Sequence, residues 1–304
     1  MLEVAIMIEG QDGLNWARWQ RLATAVEDLG FVGLYRSDHY TNAVGPDKDS
    51  LELWVSLTWL ASHTRRIEFG PLVSPVSFRH PTMTARMACA VDDLSNGRLT
   101  LGLGAGWQER EHTHFGRDLL EIQPRFQRFQ EGLEVITRLL NSDEPVDFSG
   151  EYYRLQEAIL LPRPQRPGGP PILIGGNGAK LTLPLAAQYA SEWNAVYIAP
   201  DEFKAKSALL DEMLAANGRS SHEVRRSLMT RVEIGEDSVL ASKFTRQIPA
   251  EMRQRGLVVG SPAQIVDILG TWEQAGLQRI MLQWLDLDNL DGLELLSKSV
   301  LPYI

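Results

Sequence analysis

The chain has 304 residues, of which 44% are hydrophobic and 23% are charged, as in ordinary globular proteins large enough to bury a substantial core. Its formal net charge at pH 7 is −9. This acidic balance excludes a generally basic surface, so we expect neither nucleic acid nor an anionic membrane as a partner.

Eight short apolar runs, bounded by turn residues, predict the strands of a sheet. Several are apolar at every position, which is typical of strands covered on both faces in a parallel sheet. In chain order the predicted strands are residues 4–8, 31–35, 67–73, 99–103, 172–174, 195–198, 228–234 and 280–284.

Segments with helical spacing of apolar residues follow these strands. The first ends at Gly30, and the seventh begins with Ser261 as N-cap and Pro262 at the first helical position. The predicted helices are residues 19–29, 51–61, 81–94, 126–140, 181–189, 203–214, 262–272 and 290–300.

Eight strands that alternate with eight helices predict a (β/α)8 TIM barrel formed by residues 1–304 as one domain. A doubly wound sheet is the weaker alternative, because it usually needs fewer units. Two intervals, residues 110–171 and 236–260, are longer than barrel connections usually are. Long insertions of this kind are typical of lids or dimer elements.

The loop after the second predicted strand contains the first candidate for chemistry. Barrel enzymes place their active sites at the carboxyl ends of the strands, where Asp38, His39 and Tyr40 stand. A histidine with a near-neutral pKa can donate or accept a proton, and Asp38 with His39 is the best catalytic pair in the sequence. The alternative is a histidine that only bonds a turn carbonyl.

A glycine-rich loop follows the fifth predicted strand. Gly175, Gly176, Asn177 and Gly178 let backbone amides approach a phosphate at the start of a helix, and Lys180 could add a positive charge. The alternative is a tight turn without a ligand. The spacing predicts a phosphate site.

Three further patterns are weaker. The glycines of residues 102–106 form GxGxG rather than the dinucleotide fingerprint, and we expect them to leave room for a flat ring. His112 and His114 are predicted to lie in a solvated loop rather than in a metal site, and we expect no bound metal. Trp107 follows a strand end among glycines and could stack on a ligand.

Cellular location is predicted from what the sequence lacks. Cys89 is the single cysteine, which excludes an internal disulfide bond and suits a reducing compartment. The first residues lack a signal-peptide pattern, and no apolar run approaches the ~18 residues of a membrane span. We expect a cytoplasmic protein.

Five longer segments carry a family resemblance. They are GFVGLYRSDHY, FGPLVSPVSFRHPTMTARMACAVDDLSNGRLTLGLGAGWQERE, FSGEYYRL, PPILIGGNGAKLTLPLAAQYASEWN and VGSPAQIVDILGTWEQAGLQRI. Together, and in this order, they resemble the bacterial-luciferase-like superfamily on the branch that uses coenzyme F420. The long second segment is the most specific of the five.

The resemblance implies a luciferase-like TIM barrel with insertions, and an oxidoreductase that transfers a hydride between F420 and an organic small molecule. The cofactor's flat ring would lie over the strand ends, with its phosphate in the loop after the fifth strand. The implied catalytic residue is His39. The implied cofactor contacts are Asp38, Leu72, Ser74, Gln108, Gly175, Gly176, Asn177 and Gly178, and the implied substrate contacts are Trp107 and Tyr40.

The resemblance also implies a non-proline cis peptide bond at Pro71–Leu72 and a homodimer formed through residues 51–61 and 83–94. Trp107 stands where the sugar-phosphate dehydrogenases of the family have a glutamate, so a sugar-phosphate substrate is not implied. Two alternatives to F420 chemistry stay open at this point. One is an FMN-dependent luciferase-like monooxygenase, and the other is a flavin-binding barrel without catalytic activity.

Overall fold

The computed structural model describes residues 1–236 and 248–304 of the chain. The strands are β1 (Glu3–Ile8), β2 (Gly33–Arg36), β3 (Glu68–Pro71), β4 (Ser74–Pro75), β5 (Leu101–Gly104), β6 (Val146–Ser149), β7 (Arg154–Ala158), β8 (Ile172–Gly175), β9 (Glu192–Val196), β10 (Arg225–Ile234), β11 (Val258–Gly260) and β12 (Arg279–Gln283). The helices are α1 (Trp16–Asp28), α2 (Leu53–His63), α3 (Pro81–Leu94), α4 (Glu109–His114), α5 (Ile122–Asn141), α6 (Thr182–Tyr189), α7 (Pro200–Ala216), α8 (Ala250–Arg253), α9 (Pro262–Gln274) and α10 (Leu290–Ser299).

One parallel sheet runs around the molecule. Its strands follow the order β3, β2, β1, β12, β10, β9, β8, β5 and β4, with β11 beside β10. The Phe69 amide donates to the Arg98 carbonyl at 3.1 Å and the Thr100 amide donates to the Phe69 carbonyl at 2.8 Å, which joins β3 to β5. The sheet is thereby closed, and the predicted (β/α)8 barrel is confirmed.

The predicted elements recur with shifted ends. The strand predicted at residues 195–198 begins three residues earlier as β9, so Trp193 and Asn194 lie inside it. Helix α9 begins as predicted, with Pro262 in its first turn and Gln264 accepting a 2.9 Å hydrogen bond from the Ser261 amide. The interval 110–171 contains α4 and the antiparallel hairpin β6–β7 in addition to the helix that the sequence predicts. In the other interval, residues 237–247 lie outside the described residues, and the lid hypothesis for 236–260 falls in part on them.

The third barrel strand is interrupted between β3 and β4. The cis peptide bond that does not precede a proline is Leu72–Val73, so the expectation of Pro71–Leu72 is wrong by one residue. The Leu72 amide still donates to the Arg36 carbonyl at 2.7 Å, which keeps this residue in the ladder with β2.

The glycines of β5 serve this interruption. A Cβ atom on Gly102 would lie 2.0 Å from the Pro71 carbonyl oxygen, and one on Gly104 would lie 2.7 Å from Val73 Cγ2. The expectation that these two glycines make room for a flat ring is therefore wrong. They make room for the neighbouring backbone and for Val73.

Apolar side chains fill two layers of the barrel. Between strands and helices lies the main core, which includes the fully buried rings of Trp19, Phe129 and Trp272. Each such side chain contributes about 1.5–3 kcal/mol by leaving water. Inside the barrel lies a smaller cluster, formed by Ala5, Met7, Tyr35, Leu72, Leu173, Met229 and Met281. Among the described residues, no helix is both long and apolar enough to cross a membrane.

The amino ends of the strands are closed by an ionic network, which we call the floor network: Glu3, Glu68, Glu192, Arg225 and Arg279. Arg279 is buried and lies 2.7 Å from Glu3, 2.6 Å from Glu68 and 3.4 Å from Glu192, while also donating to the Tyr35 hydroxyl at 2.7 Å. Burial raises the pKa of Glu192, and Arg279 and Arg225 oppose that rise.

Candidate active site

A cavity of about 470 Å³ opens at the carboxyl ends of the strands, and we call it the mouth cavity. Its volume falls within the range of pockets for small-molecule ligands. The lining is mostly apolar, with a few convergent polar groups. The lining residues are Met7, Glu9, Ser37, His39, Leu72, Val73, Pro75, Gly106, Trp107, Glu111, Gly175, Gly176, Val196, Tyr197, Met229 and Gln283.

His39 extends into this cavity from the end of β2. Its side chain is 18% exposed, and Nδ1 lies 2.9 Å from Glu111 Oε1. The ring of Trp107 stands edge-on to the imidazole, with 5.5 Å between ring centroids. Among the described residues, Nε2 of His39 has no hydrogen-bond partner. One ring nitrogen is thus held by the protein, and the other is left for a ligand.

The charge around His39 favours its protonated form. Burial alone lowers the pKa of the imidazole, but the hydrogen bond and charge of Glu111 outweigh burial, with smaller contributions from Glu9 and Asp38. The net result is a pKa above the ordinary value of 6.5. His39 therefore holds a proton more readily than an ordinary histidine does.

Helix α4 supplies the partner of His39. Gln108, Glu111 and His112 are buried on one side of this segment, whereas Glu109 and Thr113 are exposed. The expectation of a solvated loop for His112 is wrong, because its Nδ1 lies 2.7 Å from the Gln108 carbonyl oxygen and its Nε2 lies 2.8 Å from Ser77 Oγ. The spacing i, i+3, i+4 was the available signal for this buried face.

Asp38 lies behind the wall of the cavity. Its carboxylate accepts a 2.6 Å hydrogen bond from Ser74 Oγ and two hydrogen bonds from Arg79, which also contacts Glu52 at 2.8 Å. Burial raises the pKa of Asp38, and Arg79 and Ser74 oppose the rise. The Asp38 carboxylate is thus hydrogen-bonded to Ser74 and Arg79, whereas the ring of His39 is hydrogen-bonded to Glu111, and a joint catalytic role of Asp38 and His39 stays a prediction.

The glycine loop after β8 presents unpaired backbone amides. The Gly176 amide donates to the Asn194 carbonyl at 2.9 Å, whereas the five amides of residues 177–181 have no acceptor among the described residues. The side chain of Asn177 does not point to a ligand, because it exchanges two hydrogen bonds of 2.6 and 2.9 Å with the backbone of Val196. Helix α6 begins at Thr182, and Lys180 is exposed.

A strip of hydrogen-bonded polar groups crosses one side of the cavity and has no counterpart in the sequence predictions. The Tyr197 hydroxyl donates to Gln283 Oε1, Gln283 Nε2 donates to Glu9 Oε1 at 2.6 Å, and Gln11 Nε2 donates to Glu9 Oε2 at 2.9 Å. Ser37 Oγ completes the strip by donating to Gln11 Oε1 at 2.7 Å. Burial raises the pKa of Tyr197 to about 12, so this hydroxyl stays protonated and acts as a donor.

Known proteins of similar sequence identify the family of this chain. A family model described as luciferase-like monooxygenase matches residues 4–243. The chain belongs to this family.

Among curated relatives, the chain is 34% identical over 183 residues to the 4-hydroxyprotoasukamycin monooxygenase of Streptomyces nodosus subsp. asukaensis. This match covers 60% of the chain and 48% of the relative. The chain is 29% identical over 231 residues to the F420-dependent glucose-6-phosphate dehydrogenase of Kineococcus radiotolerans. This second match covers 74% of the chain and 66% of the relative. The matches thus span about half to two thirds of these relatives' lengths.

A solved structure, the coenzyme F420 dependent tetrahydromethanopterin reductase from Methanopyrus kandleri, superposes with a TM-score of 0.82 at 21% identity. The superposition covers 99% of both chains. At this identity the likeness shows the fold, and the predicted luciferase-like barrel is confirmed.

In this luciferase-like barrel, four of the predicted site residues besides His39 line the mouth cavity: Leu72, Trp107, Gly175 and Gly176. Trp107 is 64% exposed at the rim. The others are Asp38, Ser74, Gln108, Asn177, Gly178 and Tyr40, whose side chains or backbones lie outside the lining.

Two of these outlying residues pack against protein instead of facing the cavity. The ring of Tyr40 stacks on Phe78 with 4.3 Å between centroids and meets Phe115 edge-on at 4.8 Å. Gln108 donates to the Thr41 carbonyl at 2.9 Å. The substrate contact expected of Tyr40 and the cofactor contact expected of Gln108 therefore have no support in the placement of their side chains. Within the described residues, no group of three or more His, Cys, Asp or Glu side chains is arranged to hold a metal ion.

Proposed function

We propose that this chain binds coenzyme F420 in the mouth cavity and transfers a hydride between the cofactor and an organic small molecule. The observation that carries the proposal is His39, whose Nε2 has no partner among the described residues at the edge of an apolar cavity, while Nδ1 is hydrogen-bonded to Glu111. Relatives named as F420-dependent support the choice of cofactor.

The residues present fit such a cofactor. Leu72, Val73, Val196 and Met229 give apolar walls against which a flat heterocycle can lie. The unpaired amides of residues 177–181 stand before the first turn of α6, where a phosphate is favoured by both hydrogen bonds and the helix dipole. When bound, F420 would supply a hydride-carrying carbon, as nicotinamide does.

The protein's own contribution is orientation and a proton. His39 Nε2 would hold the proton that accompanies the hydride, and Trp107 would cover the substrate at the rim. Asp38 and Ser74 would act indirectly, by fixing the loop from which His39 extends.

The lining also favours one kind of substrate. Among the described residues it contains the carboxylates Glu9 and Glu111 but no lysine or arginine. A phosphorylated substrate usually needs a basic side chain or free amides, and the amides of the glycine loop are already assigned to the cofactor. We therefore propose a substrate without a phosphate group.

The second candidate is an FMN-dependent monooxygenase, which the 34% identity to a relative named as a monooxygenase favours. Titration of the purified protein with F420 and with FMN, followed by fluorescence quenching, separates the two. We expect tighter binding of F420. Tight binding of FMN with no binding of F420 would reverse the assignment, and F420 binding without turnover on a broad panel of alcohols and ketones would favour a non-catalytic barrel.

We also propose that residues 1–304 form one domain that pairs as a homodimer in the cytoplasm. The one-domain proposal is supported by a single sheet whose strands run from Glu3 to Gln283. The dimer is supported by apolar side chains left exposed on α2 and α3, Val55 at 56% and Met83 at 50%. Sedimentation equilibrium tests it, and a monomeric mass would reject it.

A further inference from the structure

We infer that Glu111 is a positioning residue that holds His39 in one tautomer, with the proton on Nδ1 and Nε2 directed to the mouth cavity. The inference rests on the proposed role of His39. It goes beyond that role because it names the group that orients the imidazole.

Both carboxylate oxygens of Glu111 are hydrogen-bonded to residues 39–40. Oε1 lies 2.9 Å from His39 Nδ1, and Oε2 accepts a 3.0 Å hydrogen bond from the Tyr40 amide. Because an ionised carboxylate can only accept, the hydrogen between Glu111 and His39 must belong to Nδ1. In the neutral ring, Nε2 is then the basic nitrogen.

The neighbouring side chains do not compete for this arrangement. Gln108 Nε2 lies 3.3 Å from His39 Nδ1, but it makes its shorter bond, at 2.9 Å, to the Thr41 carbonyl. Asp38 is next to His39 in the chain, yet its carboxylate is occupied by Arg79 and Ser74. Glu111 is thus the carboxylate among the described residues that contacts the ring.

Helix α4 is itself anchored, which fixes where Glu111 stands. The next residue, His112, lies between the Gln108 carbonyl, 2.7 Å from Nδ1, and Ser77 Oγ, 2.8 Å from Nε2. Arg125 adds a 3.2 Å hydrogen bond to the Gly106 carbonyl just before the helix. The bonds from Ser77 and Arg125 tie the α4 segment to the β4–α3 loop and to α5, which fixes the backbone position from which the Glu111 side chain extends.

The charged groups that face His39 come from three elements. They are Glu111 on α4, Glu9 after β1, and Asp38 after β2, the last paired with Arg79. All three carboxylates favour the imidazolium, but of these only Glu111 is hydrogen-bonded to it. Removing its charge should therefore change both the tautomer and the titration of His39.

The test is nitrogen NMR of protein labelled with ¹⁵N-histidine, recorded without cofactor. The signals of His39 are assigned by comparison with His39→Ala. In Glu111→Gln we expect the titration midpoint of His39 to fall and the Nε2-protonated tautomer to appear. Glu111→Asp should keep the Nδ1-protonated form in part, and Glu109→Gln, which removes an exposed charge from the same helix, should leave the spectrum unchanged.

Turnover gives the second readout. Complete loss of acid–base catalysis costs roughly 10²–10⁴-fold, so Glu111→Gln should lower kcat by at least ~10-fold but less than His39→Ala does. An unchanged midpoint and tautomer in Glu111→Gln would overturn the inference. Because the NMR measurement needs no cofactor, it tests Glu111 even where F420 turnover fails, and that failure would concern the proposed function alone.

Discussion

Both ends of the barrel contain buried charged and polar side chains, but the two ends differ in whether these groups are paired within the protein. At the floor, Arg279 donates to Glu3, Glu68, Glu192 and the Tyr35 hydroxyl, so its donors end on protein atoms. At the mouth, within the part of the chain that the structure describes, the ring of His39 has hydrogen-bond partners at Nδ1 but none at Nε2. Cavities of about 480 and 470 Å³ lie at the two ends, so volume does not separate them.

The difference lies in which polar groups remain available. Glu192 Oε1 at the floor also lacks a partner, but that atom is sealed from solvent. At the mouth, His39 Nε2 lies at an apolar cavity without a partner among the described residues, and the amides of residues 177–181, which follow the lining residues Gly175 and Gly176, have none there either. Since buried polar groups normally find partners inside the protein, unpaired groups around a cavity indicate a ligand site.

The largest expected effect is at the mouth. His39→Ala should lower turnover by about 10²–10⁴-fold, because it removes the proton-exchanging group, while F420 affinity changes little. Steady-state kinetics and fluorescence titration measure the two quantities. Unchanged turnover would remove His39 from the mechanism, and the comparison of the two ends would then give no catalytic group at the mouth.

The next effect is at the floor and concerns stability. Arg279→Met leaves Glu192 buried without its closest cation, so we expect about 3–5 kcal/mol less free energy of unfolding. Lys298→Met, which breaks an exposed pair with Glu294, should cost under about 1 kcal/mol. Urea denaturation measures both. A loss of F420 affinity in Arg279→Met at full folding would contradict the separation of the two ends.

A smaller effect is expected in the glycine loop. Gly176 has φ +126, where residues with a side chain are strained by about 1–3 kcal/mol, so Gly176→Ala should shift the neighbouring amides and weaken F420 binding by about tenfold. Gly218→Ala is the matched control, because Gly218 has φ +70 and open space around it, far along the chain after α7. Equal F420 affinity in both variants would argue against a phosphate in this loop.

The smallest effect is the pH dependence of stability at the mouth. The pKa of His39 is raised in the folded protein, so its contribution to stability is complete below the unfolded value near 6.5 and is lost as pH rises through the folded value. The stability difference between the wild type and His39→Ala should therefore shrink from pH 6 towards alkaline pH. A difference that grows over this window would show that burial outweighs the carboxylates and lowers the pKa of His39.

Some of this could be predicted from the sequence, because the information lies within a few residues. Apolar periodicity and turn residues predict the eight strands, and Ser261 with Pro262 predicts the start of α9. The glycine loop is also recognisable, since it needs no partner from elsewhere to expose its amides. The single-domain organisation and the cofactor contacts stay predictions.

What the tertiary structure decided is which distant groups meet. Glu111 is 72 positions from His39 along the chain, and Asn177 contacts Val196 rather than a ligand. The cis bond falls at Leu72–Val73, one residue from the expected position. The local patterns predict that the strand ends meet, but which side chains bond one another there depends on contacts between residues far apart in the chain, and no local pattern of apolar or turn residues specifies those contacts.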